Sequence, residues 1–381
     1  VDTRKRAGIL SDIIGIMMNE QSAPSPKPSP LPEEPTEPRS YRLIAGPCSA
    51  ESREQLLATA EGLQPLRIDL FRAGIWKPRT KPGGFEGIGS EGLSWLAEIK
   101  EKFGYRTTTE VCTCKHAEAA LEAGVDVLWI GARTSTNPHS VQEIAEVLRG
   151  SNTPLMIKNP MCPDLQLWIG TIERFWQVGI TDISAIFRGF PPPPAIKVDY
   201  RNAPYWGVAF EFQNELPDIP LICDPSHIAG RREAIQAVSQ KALDLGFQGL
   251  MVESHINPAT ARTDAHQQVS PSDLKTIIDS LVIRSKTNRV DDIRLVSYRA
   301  TLAEMDNLLI SNLAQRMVIA TRIGELKKRA DIPVLQEAQF EANLAECTSW
   351  AESLGLDPSF VKKLMTLIHE ESVRIQHNNR K

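Results

Sequence analysis

The pattern of apolar and polar positions divides the chain into two regions. After about residue 40, short apolar runs alternate eight times with segments whose apolar residues recur every three or four positions. Short β-branched runs indicate buried strands, whereas the longer period indicates amphipathic helices. The pattern therefore predicts eight parallel strands joined by crossover helices. The predicted strands are 41–46, 70–74, 105–111, 126–132, 154–159, 184–189, 220–225 and 249–254.

Eight such units predict a fold of the α/β class, a closed (β/α)8 TIM barrel, over residues 40–284. An open, doubly wound sheet is the competing arrangement. That sheet often carries a G-x-G-x-x-G phosphate loop after its first strand, and no such loop follows the first strand here. The closed barrel is therefore the favoured prediction.

From about residue 291 the strand pattern stops. The stretch "DDIRLVSYRATLAEMDNLLISNLAQRMVIATRIGELKKRA" keeps helical spacing throughout, and a second helical pattern covers 336–353. A third helix is predicted to begin after Asp357, which can cap it, with Pro358 in the first turn. The sequence thus predicts an all-α three-helix domain over 292–381, joined to the barrel by a linker at 285–291.

Residues 1–39 belong to neither region. The segment 21–38 is rich in proline and serine, so it is predicted to be a linker or a disordered arm. The start, "VDTRKRAGILSDIIGIMMNE", has basic residues before an apolar patch, but Asp12 interrupts the patch and no small-residue cleavage site follows. We interpret it as a short amphipathic helix or an expression remnant, not as a signal peptide.

Composition narrows the class of protein. With 41% hydrophobic and 24% charged residues the chain resembles an ordinary soluble protein. A net charge of -4 argues against nucleic acid as a partner, and no apolar run is long enough to cross a membrane. Six scattered cysteines suggest reduced thiols and a cytoplasmic location. Cys112 and Cys114 are interpreted as structural, because no second close pair completes a zinc site.

The ends of the predicted strands carry the candidate chemistry, because active sites in such barrels form where strands end. Most of these ends or the loops after them hold a cation. Cations gathered at one mouth repel each other unless anions occupy it, and Arg suits phosphates and carboxylates. The sequence therefore predicts multiply anionic ligands. The cations are Arg72, Lys77, Arg79, Arg133, Lys158 and Arg188.

A second group at the same predicted mouth consists of residues that can bind a metal. These are Cys48, His227, Glu253 and Asp264. Mixed sulfur, nitrogen and oxygen donors suit Mn, Fe, Co or Zn better than magnesium or calcium. A buried cysteine, an ion-paired histidine and two unrelated carboxylates would give the same spacing, and the pattern alone leaves that alternative open.

Seven ordered motifs resemble 3-deoxy-D-arabino-heptulosonate 7-phosphate (DAHP) synthase of the type I beta branch, over roughly residues 40–282. The related octulosonate 8-phosphate synthase, which uses arabinose 5-phosphate, has Lys-Ala-Asn where this chain has "KPRT". The resemblance therefore implies condensation of phosphoenolpyruvate with erythrose 4-phosphate. The motifs are "AGPCSAES", "KPRT", "IGART", "IKNP", "IFRGF", "DPSH" and "MVESH".

The resemblance also implies roles for individual residues. Lys77 would reach between both substrates, and Pro78, Arg79 and Thr80 complete the loop that holds the phosphate of erythrose 4-phosphate. Glu110 would act near the attacking water as a catalytic residue. Phosphoenolpyruvate would be bound by Arg72, Arg133, Lys158 and Arg188. One divalent metal ion per barrel would be held by Cys48, His227, Glu253 and Asp264.

In the helical tail three cations have an informative spacing. Arg316 and Lys327 are three turns apart, so they point within about 20° of each other. Arg299 lies 17 residues before Arg316 and points about 100° away. If the three serve one anion pocket, Arg299 must come from another chain. A solvated charged face is the alternative.

The tail is similar to the AroQ-type chorismate mutases, over roughly residues 292–379, through "YRATLAEMDNLLISNLAQRMVIATRIGELK" and "EESVRIQ". The resemblance implies an intertwined homodimer, or a higher assembly, that rearranges chorismate to prephenate. Arg299 and Arg316 would clamp the dicarboxylate, with Ser372 beside them. Lys327 and Gln376 would bind the ether oxygen, which makes Arg316, Lys327 and Gln376 the catalytic residues.

One part of the second helix departs from that family. The family usually has an Arg-Glu pair where this chain has Gln339 and Phe340, and Gln336 replaces an Asp; a one-residue slip would offer Glu341. Two hypotheses follow. One is a bifunctional shikimate-pathway enzyme with feedback control by prephenate or chorismate. The other is a DAHP synthase whose helical domain is only a dimerisation and sensor module.

Overall fold

The computed structural model describes residues 39–79, 82–192, 199–283 and 290–378. A closed barrel of eight parallel strands in sequential order forms its larger part, and pairing of the last strand with the first closes it. The eight predicted strands are confirmed. Each is somewhat shorter than predicted; in six of them the last predicted residues leave the sheet and begin the following loop or helix, whereas β1 and β3 begin later than predicted. The strands are β1 Arg42–Gly46, β2 Leu70–Arg72, β3 Thr107–Val111, β4 Val127–Ile130, β5 Leu155–Lys158, β6 Ile183–Phe187, β7 Leu221–Cys223 and β8 Gly249–Glu253.

Helices surround the barrel and bury their apolar faces against it, as their amphipathic patterns predict. The inside of the barrel is filled by a separate apolar layer that includes Trp129, Met156 and Met251. The barrel is therefore a packed core and not a pore. The helices are α1 Arg53–Leu63, α2 Glu91–Phe103, α3 Cys114–Glu122, α4 Ala132–Ser135, α5 Pro138–Leu148, α6 Leu165–Gln177, α7 Trp206–Glu215, α8 Pro225–Ala229, α9 Ile235–Asp244 and α10 Pro271–Ser280.

Three helices form the tail: α11 Val290–Arg329, α12 Glu337–Ser353 and α13 Pro358–Asn378. The predicted cap of the third helix is present, because the carboxylate of Asp357 accepts hydrogen bonds from the backbone N–H groups of Ser359 and Phe360.

The tail leaves a large apolar surface uncovered. Within the described part of the tail, the buried apolar side chains are only Ala320, Val334 and Ala351. By contrast, eight large side chains along α11 are between 42% and 66% exposed. Apolar patches of this size mark interaction surfaces. Six of the eight share one side of the helix, and we call these six the open face of α11: Leu302, Met305, Leu309, Ile319, Ile323 and Leu326.

The barrel and the tail touch where α7 meets α11. The rings of Phe210 and Tyr298 make an edge-to-face contact with centroids 5.6 Å apart. A Cβ at Gly207 would lie 3.0 Å from the side chain of Thr301, so the glycine lets the two helices approach closely without displacing Thr301. The contact lies between the two regions that the sequence separates.

Some predictions fall outside the described residues. These are the amphipathic helix and the proline-rich arm before residue 39, Thr80, and residues 285–289 of the predicted linker. Across the described part of the chain, no helix is both long enough and apolar enough to cross a bilayer.

Candidate active sites

The closure of the barrel creates a compact group of metal-binding side chains. Gly46, at the end of β1, pairs in register with Glu253 at the end of β8, which brings the loops after both strands together. Cys48 follows β1 and Asp264 follows β8. The potential ligand atoms of Cys48, Glu253 and Asp264 all lie within 4.8 Å of one another. The cysteine sulfur is 3.6 Å from Oδ2 of Asp264.

His227 joins this group from the neighbouring strand. It lies in the short helix α8, whose N-cap Asp224 follows β7. The imidazole Nδ1 is 3.0 Å from Oδ1 of Asp224, and Nε2 is 3.9 Å from Oε1 of Glu253. A carboxylate on one ring nitrogen fixes the other toward a ligand. The four residues thus offer one sulfur, one nitrogen and two carboxylates, a set that fits a borderline divalent ion.

The charges of this group differ between its members. Burial, with Glu253 adding to it, raises the pKa of the Cys48 thiol to about 12. Burial also acts to raise the pKa of Asp264, but His227 and Arg201 outweigh it and the pKa falls to about 2. A thiol must lose its proton to bind a metal, so a cation in this cluster would favour the thiolate.

Arg72 lies beside the cluster and is only 1% exposed. Its Nη2 donates to Oε1 of Glu253 at 3.1 Å and to the carbonyl of Cys48 at 3.5 Å. Its Nε and Nη1 are buried and have no hydrogen-bond partner. Buried donors without partners are costly, so these two atoms indicate a place for an anionic ligand.

Two further cations, Lys158 and Arg188, line the same mouth, and Lys158 lies with Arg72 over an aromatic floor. Lys158 donates to Oδ2 of Asp224 at 2.7 Å. The Arg72 guanidinium and the Lys158 ammonium lie 5.0 Å and 6.0 Å from the ring centre of Trp129, within cation–π range. Burial lowers the pKa of Arg188 to about 10. The floor and the ion pair hold Lys158 in place.

An open pocket of about 620 Å³, part of it open to solvent, gathers most of the predicted cations. Lys77, Arg79, Arg133, Lys158 and Arg188 all line it, which is the convergence that the sequence predicts. The other lining residues are Pro78, Glu110, Gly131, Ala132, Met161, Arg201, His227 and Asp264.

Two glycines allow charged side chains to approach the pocket wall. A Cβ at Gly131 would lie 1.9 Å from Oε1 of Glu110, and one at Gly74 would lie 2.8 Å from Nζ of Lys77. Neither position could carry a side chain without displacing its charged neighbour. Arg79 is held by a hydrogen bond from its Nε to the carbonyl of Phe85 at 2.8 Å.

Sequence reasoning missed three residues of this site. Arg201 lies 3.0 Å from Oδ1 of Asp264, Asp224 orients His227, and Trp129 forms the floor. Asp224 had a signal, because "DPSH" places an Asp helix cap three residues before the histidine. Arg201 lies in a loop with no periodicity, and Trp129 resembled any other buried strand residue.

In the helical tail, α13 presents the predicted residues to α11. Nη1 of Arg316 donates to the hydroxyl of Ser372. A Cβ at Gly324 would lie 2.9 Å from Cγ of Gln376, so that glycine lets α13 pack closely on α11 near Lys327. Lys327 donates to the carbonyl of Val334 at 2.8 Å. Four predicted residues of the mutase site, Arg316, Lys327, Ser372 and Gln376, thus lie along one helix–helix seam.

Arg299 does not join them within one chain. Because α11 is a single helix, Arg299 lies about 25 Å from Arg316 along its axis. Its side chain is exposed. This distance agrees with the expectation that a pocket with all three cations needs a second chain.

The second helix supplies no charge at the departing positions. The side-chain amide of the exposed Gln339 donates to Oδ1 of Asn343 on its own helix. Phe340 instead stacks on the ring of His369, with centroids 3.9 Å apart. Glu341 is exposed.

The sequence profile of the DAHP synthetase I family matches residues 37–288. The chain belongs to this family. A second profile, Chorismate mutase type II, matches residues 298–377. Both a DAHP synthase domain, of the transferase class, and a chorismate mutase domain, of the isomerase class, are therefore present. Together they support a bifunctional enzyme of the shikimate pathway.

Known relatives agree with the barrel assignment. A phospho-2-dehydro-3-deoxyheptonate aldolase from Thermotoga maritima is 29% identical over 244 residues, which are 63% of this chain and 69% of that protein. A 2-dehydro-3-deoxyphosphooctonate aldolase from Wolinella succinogenes is 26% identical over 64% of this chain and 99% of that protein's length. The crystal structure of the Thermotoga maritima DAHP synthase superposes with a TM-score of 0.57 at 29% identity, over 63% of this chain and 67% of that one.

Proposed function

We propose that the barrel condenses phosphoenolpyruvate with erythrose 4-phosphate to give DAHP and phosphate, and that the helical domain rearranges chorismate to prephenate. The observation that supports the first reaction best is the meeting of five cations and a metal-competent cluster at one mouth. Two phosphorylated substrates, one of them a carboxylate, match that charge.

Cys48, His227, Glu253 and Asp264 would hold one Mn, Fe, Co or Zn ion. When bound, such an ion supplies Lewis-acid polarisation of an aldehyde oxygen. The unpartnered Nε and Nη1 of Arg72 would then bind the anionic end of phosphoenolpyruvate, next to the cluster.

The other barrel residues position the reacting groups. Lys77 reaches the pocket wall between the two anion sites, and Arg133, Lys158 and Arg188 neutralise the phosphate and carboxylate of phosphoenolpyruvate. Its C3 attacks the aldehyde carbon, water adds at C2, and phosphate leaves by C–O cleavage. Glu110, whose carboxylate lies over Gly131, would accept the proton of that water.

Erythrose 4-phosphate is preferred over arabinose 5-phosphate as the sugar substrate. The octulosonate synthases are also relatives, so the choice depends on the "KPRT" loop. Arg79, whose Nε donates to the Phe85 carbonyl, would bind the phosphate of the sugar through the rest of its guanidinium. Assaying both sugars with the purified chain tests this choice.

In the helical domain, Arg316 and Ser372 would bind a carboxylate of chorismate, while Lys327 and Gln376 would meet the ether oxygen. The Gln376 side chain is 7% exposed, and its amide N–H would donate to that oxygen. Negative charge builds on the ether oxygen during the rearrangement, so donors at this point stabilise the transition state.

The active mutase would be a homodimer formed through the open face of α11. A second copy would cover that apolar face and could bring Arg299 to the partner's Arg316, which one chain cannot do. Apolar surfaces of this kind are typical of obligate dimers.

Feedback control by prephenate or chorismate would pass through the contact between α7 and α11. Tyr298, next to Arg299, touches Phe210, and α7 begins five residues after Arg201, which lines the barrel pocket. Tyr298→Ala should therefore weaken inhibition of the barrel by prephenate and leave uninhibited rates nearly unchanged. Unaltered inhibition would exclude this route.

The decisive experiment measures both reactions with the purified full chain, before and after removal of divalent metals. We expect metal removal to abolish DAHP formation, and we expect Mn or Zn, but not magnesium, to restore it. Prephenate formation should be unaffected. Full synthase activity in magnesium alone would remove the transition metal from the account. An active barrel with a silent tail would make the helical domain a binding module.

A further inference from the structure

Three polar residues share one face of α13. His369, Ser372 and Gln376 are spaced i, i+3 and i+7, so they line the same side of the helix. Ser372 already contacts Arg316, and Gln376 packs against Gly324 close to Lys327. This face therefore looks into the mutase pocket. His369 is its third member, and no prediction from the sequence assigned it a role.

His369 has an unused polar atom. Its Nε2 is shielded from solvent and has no hydrogen-bond partner, and the same holds for Oε1 of Gln376, seven residues further along. Two buried polar atoms without partners on one face are costly in an empty pocket. A polar ligand lying along that face would satisfy both.

The imidazole is held firmly in this orientation. Phe340 stacks on it with ring centroids 3.9 Å apart and planes 22° apart. Phe340 lies on α12, so the His369 ring, which extends from α13, is held between the two helices. Phe340 has no polar group of its own, but it positions the polar ring of His369.

The charge state of His369 follows from its neighbours. Partial burial, then the positive charges of Arg316 and Lys327, lower its pKa, while Glu370 acts in the opposite direction. The ring is thus neutral at ordinary pH, and a neutral imidazole offers one donor and one acceptor. A hydroxyl can pair with Nε2 in either tautomer, whereas a carboxylate needs the nitrogen to donate.

We propose that His369 binds the ring hydroxyl of chorismate through Nε2 and so supplies a polar contact that α12 lacks. The inference depends on the proposed mutase function of the helical domain. Arg316 and Lys327 remain for the negatively charged parts of the substrate. Phe340 is then a positioning residue for the imidazole, and the absence of a charged side chain at Gln339 and Phe340 is compensated from α13.

The test combines a protein change with a substrate change. His369→Phe keeps an aromatic ring on Phe340 but removes Nε2, and His369→Gln returns a polar atom near the same place. His377→Phe is the matched control, because His377 is an exposed histidine on the same helix. Each full-length variant is assayed with chorismate and with an analogue that lacks the ring hydroxyl, and its thermal midpoint is measured.

With chorismate, we expect kcat/KM of His369→Phe to fall about tenfold, His369→Gln to recover part of the loss, and His377→Phe to match the unchanged chain. With the analogue, His369→Phe should differ little from the unchanged chain, because the partner of Nε2 is already absent. The thermal midpoint should stay within a few degrees.

Two outcomes would overturn the inference. An unchanged kcat/KM of His369→Phe with chorismate would show that His369 only packs against Phe340, and an equal loss with both substrates would show that it does not meet the hydroxyl. The unchanged chain and Lys327→Met are assayed in parallel. If the unchanged chain makes no prephenate, the mutase function itself fails; if only Lys327→Met is silent, that function stands and the His369 result is judged alone.

Discussion

The barrel site and the helical site differ in how much of each one chain completes. In the barrel, residues of a single chain form both the pocket and the metal-competent cluster. Lys158 pairs there with Asp224, and Arg72 pairs with Glu253 through Nη2, while its Nε and Nη1 face the place of the ligand. In the helical tail, Gln376 and His369 have unpartnered atoms, and the open face of α11 is uncovered. Arg299 lies about 25 Å from Arg316 along the same helix.

The difference follows from the two architectures. A parallel barrel pairs its last strand with its first, so side chains from residues 48 and 264 meet without help from another chain. Three helices with a long first helix cannot enclose a pocket, because two of them cover only part of its length. A second copy is the simplest way to bury the remainder.

The largest expected effect separates the two sites completely. Cys48→Ser should lower synthase activity at least about 100-fold, because a hydroxyl replaces the thiolate ligand, and should leave prephenate formation unchanged. Cys162→Ser, at an exposed cysteine of the barrel, is the control. Metal content per chain, measured alongside the rates, should fall only in Cys48→Ser. Undiminished metal binding and activity would remove Cys48 from the ligand set.

A reciprocal change tests the helical site. Lys327→Met should lower kcat for prephenate formation about 100-fold, because it removes the ammonium that stabilises the negative charge developing on the ether oxygen. DAHP formation should not change. The adjacent, exposed Lys328 serves as control through Lys328→Met. Equal losses in both variants would mean that the net charge of the helix matters, and not the position of Lys327.

A smaller effect sharpens the description of the barrel. Gly131→Ala should reduce kcat of the synthase about tenfold, because the new Cβ would occupy the place of the Glu110 carboxylate. The backbone at Gly131 has a φ of −73°, so alanine brings no strain of its own. Gly170→Ala on α6, where an added Cβ meets nothing within 4 Å, should be silent. A Gly131→Ala enzyme with full kcat would exclude Glu110 from the chemistry.

Much of the barrel could be predicted from sequence, because each strand is a local pattern and its polar end has a fixed place on the rim. That reasoning brought Arg133, Lys158 and Arg188 to one pocket and Arg72 to the metal-competent cluster. It could not find Trp129, whose role depends on the cations above it, or Arg201, whose loop has no period. These contacts depend on tertiary packing alone.

The helical tail was predictable in a different way. The spacing of Arg299 and Arg316 on one helix already required two chains for a pocket that holds both. The departure at Gln339 and Phe340 was visible, but His369 was not, because a lone histidine gives no signal until Phe340 is seen to stack on it.

Subunit mixing tests the central comparison most directly. An Arg299→Ala chain and a Lys327→Met chain, each silent as a mutase, are unfolded and refolded together; random pairing gives one intact site per mixed dimer, and about one quarter of the mutase activity should return. The same procedure with Cys48→Ser and Arg188→Ala should restore no synthase activity, because one chain builds the whole barrel site. Recovery of the synthase, or no recovery of the mutase in verified mixed dimers, would contradict the account.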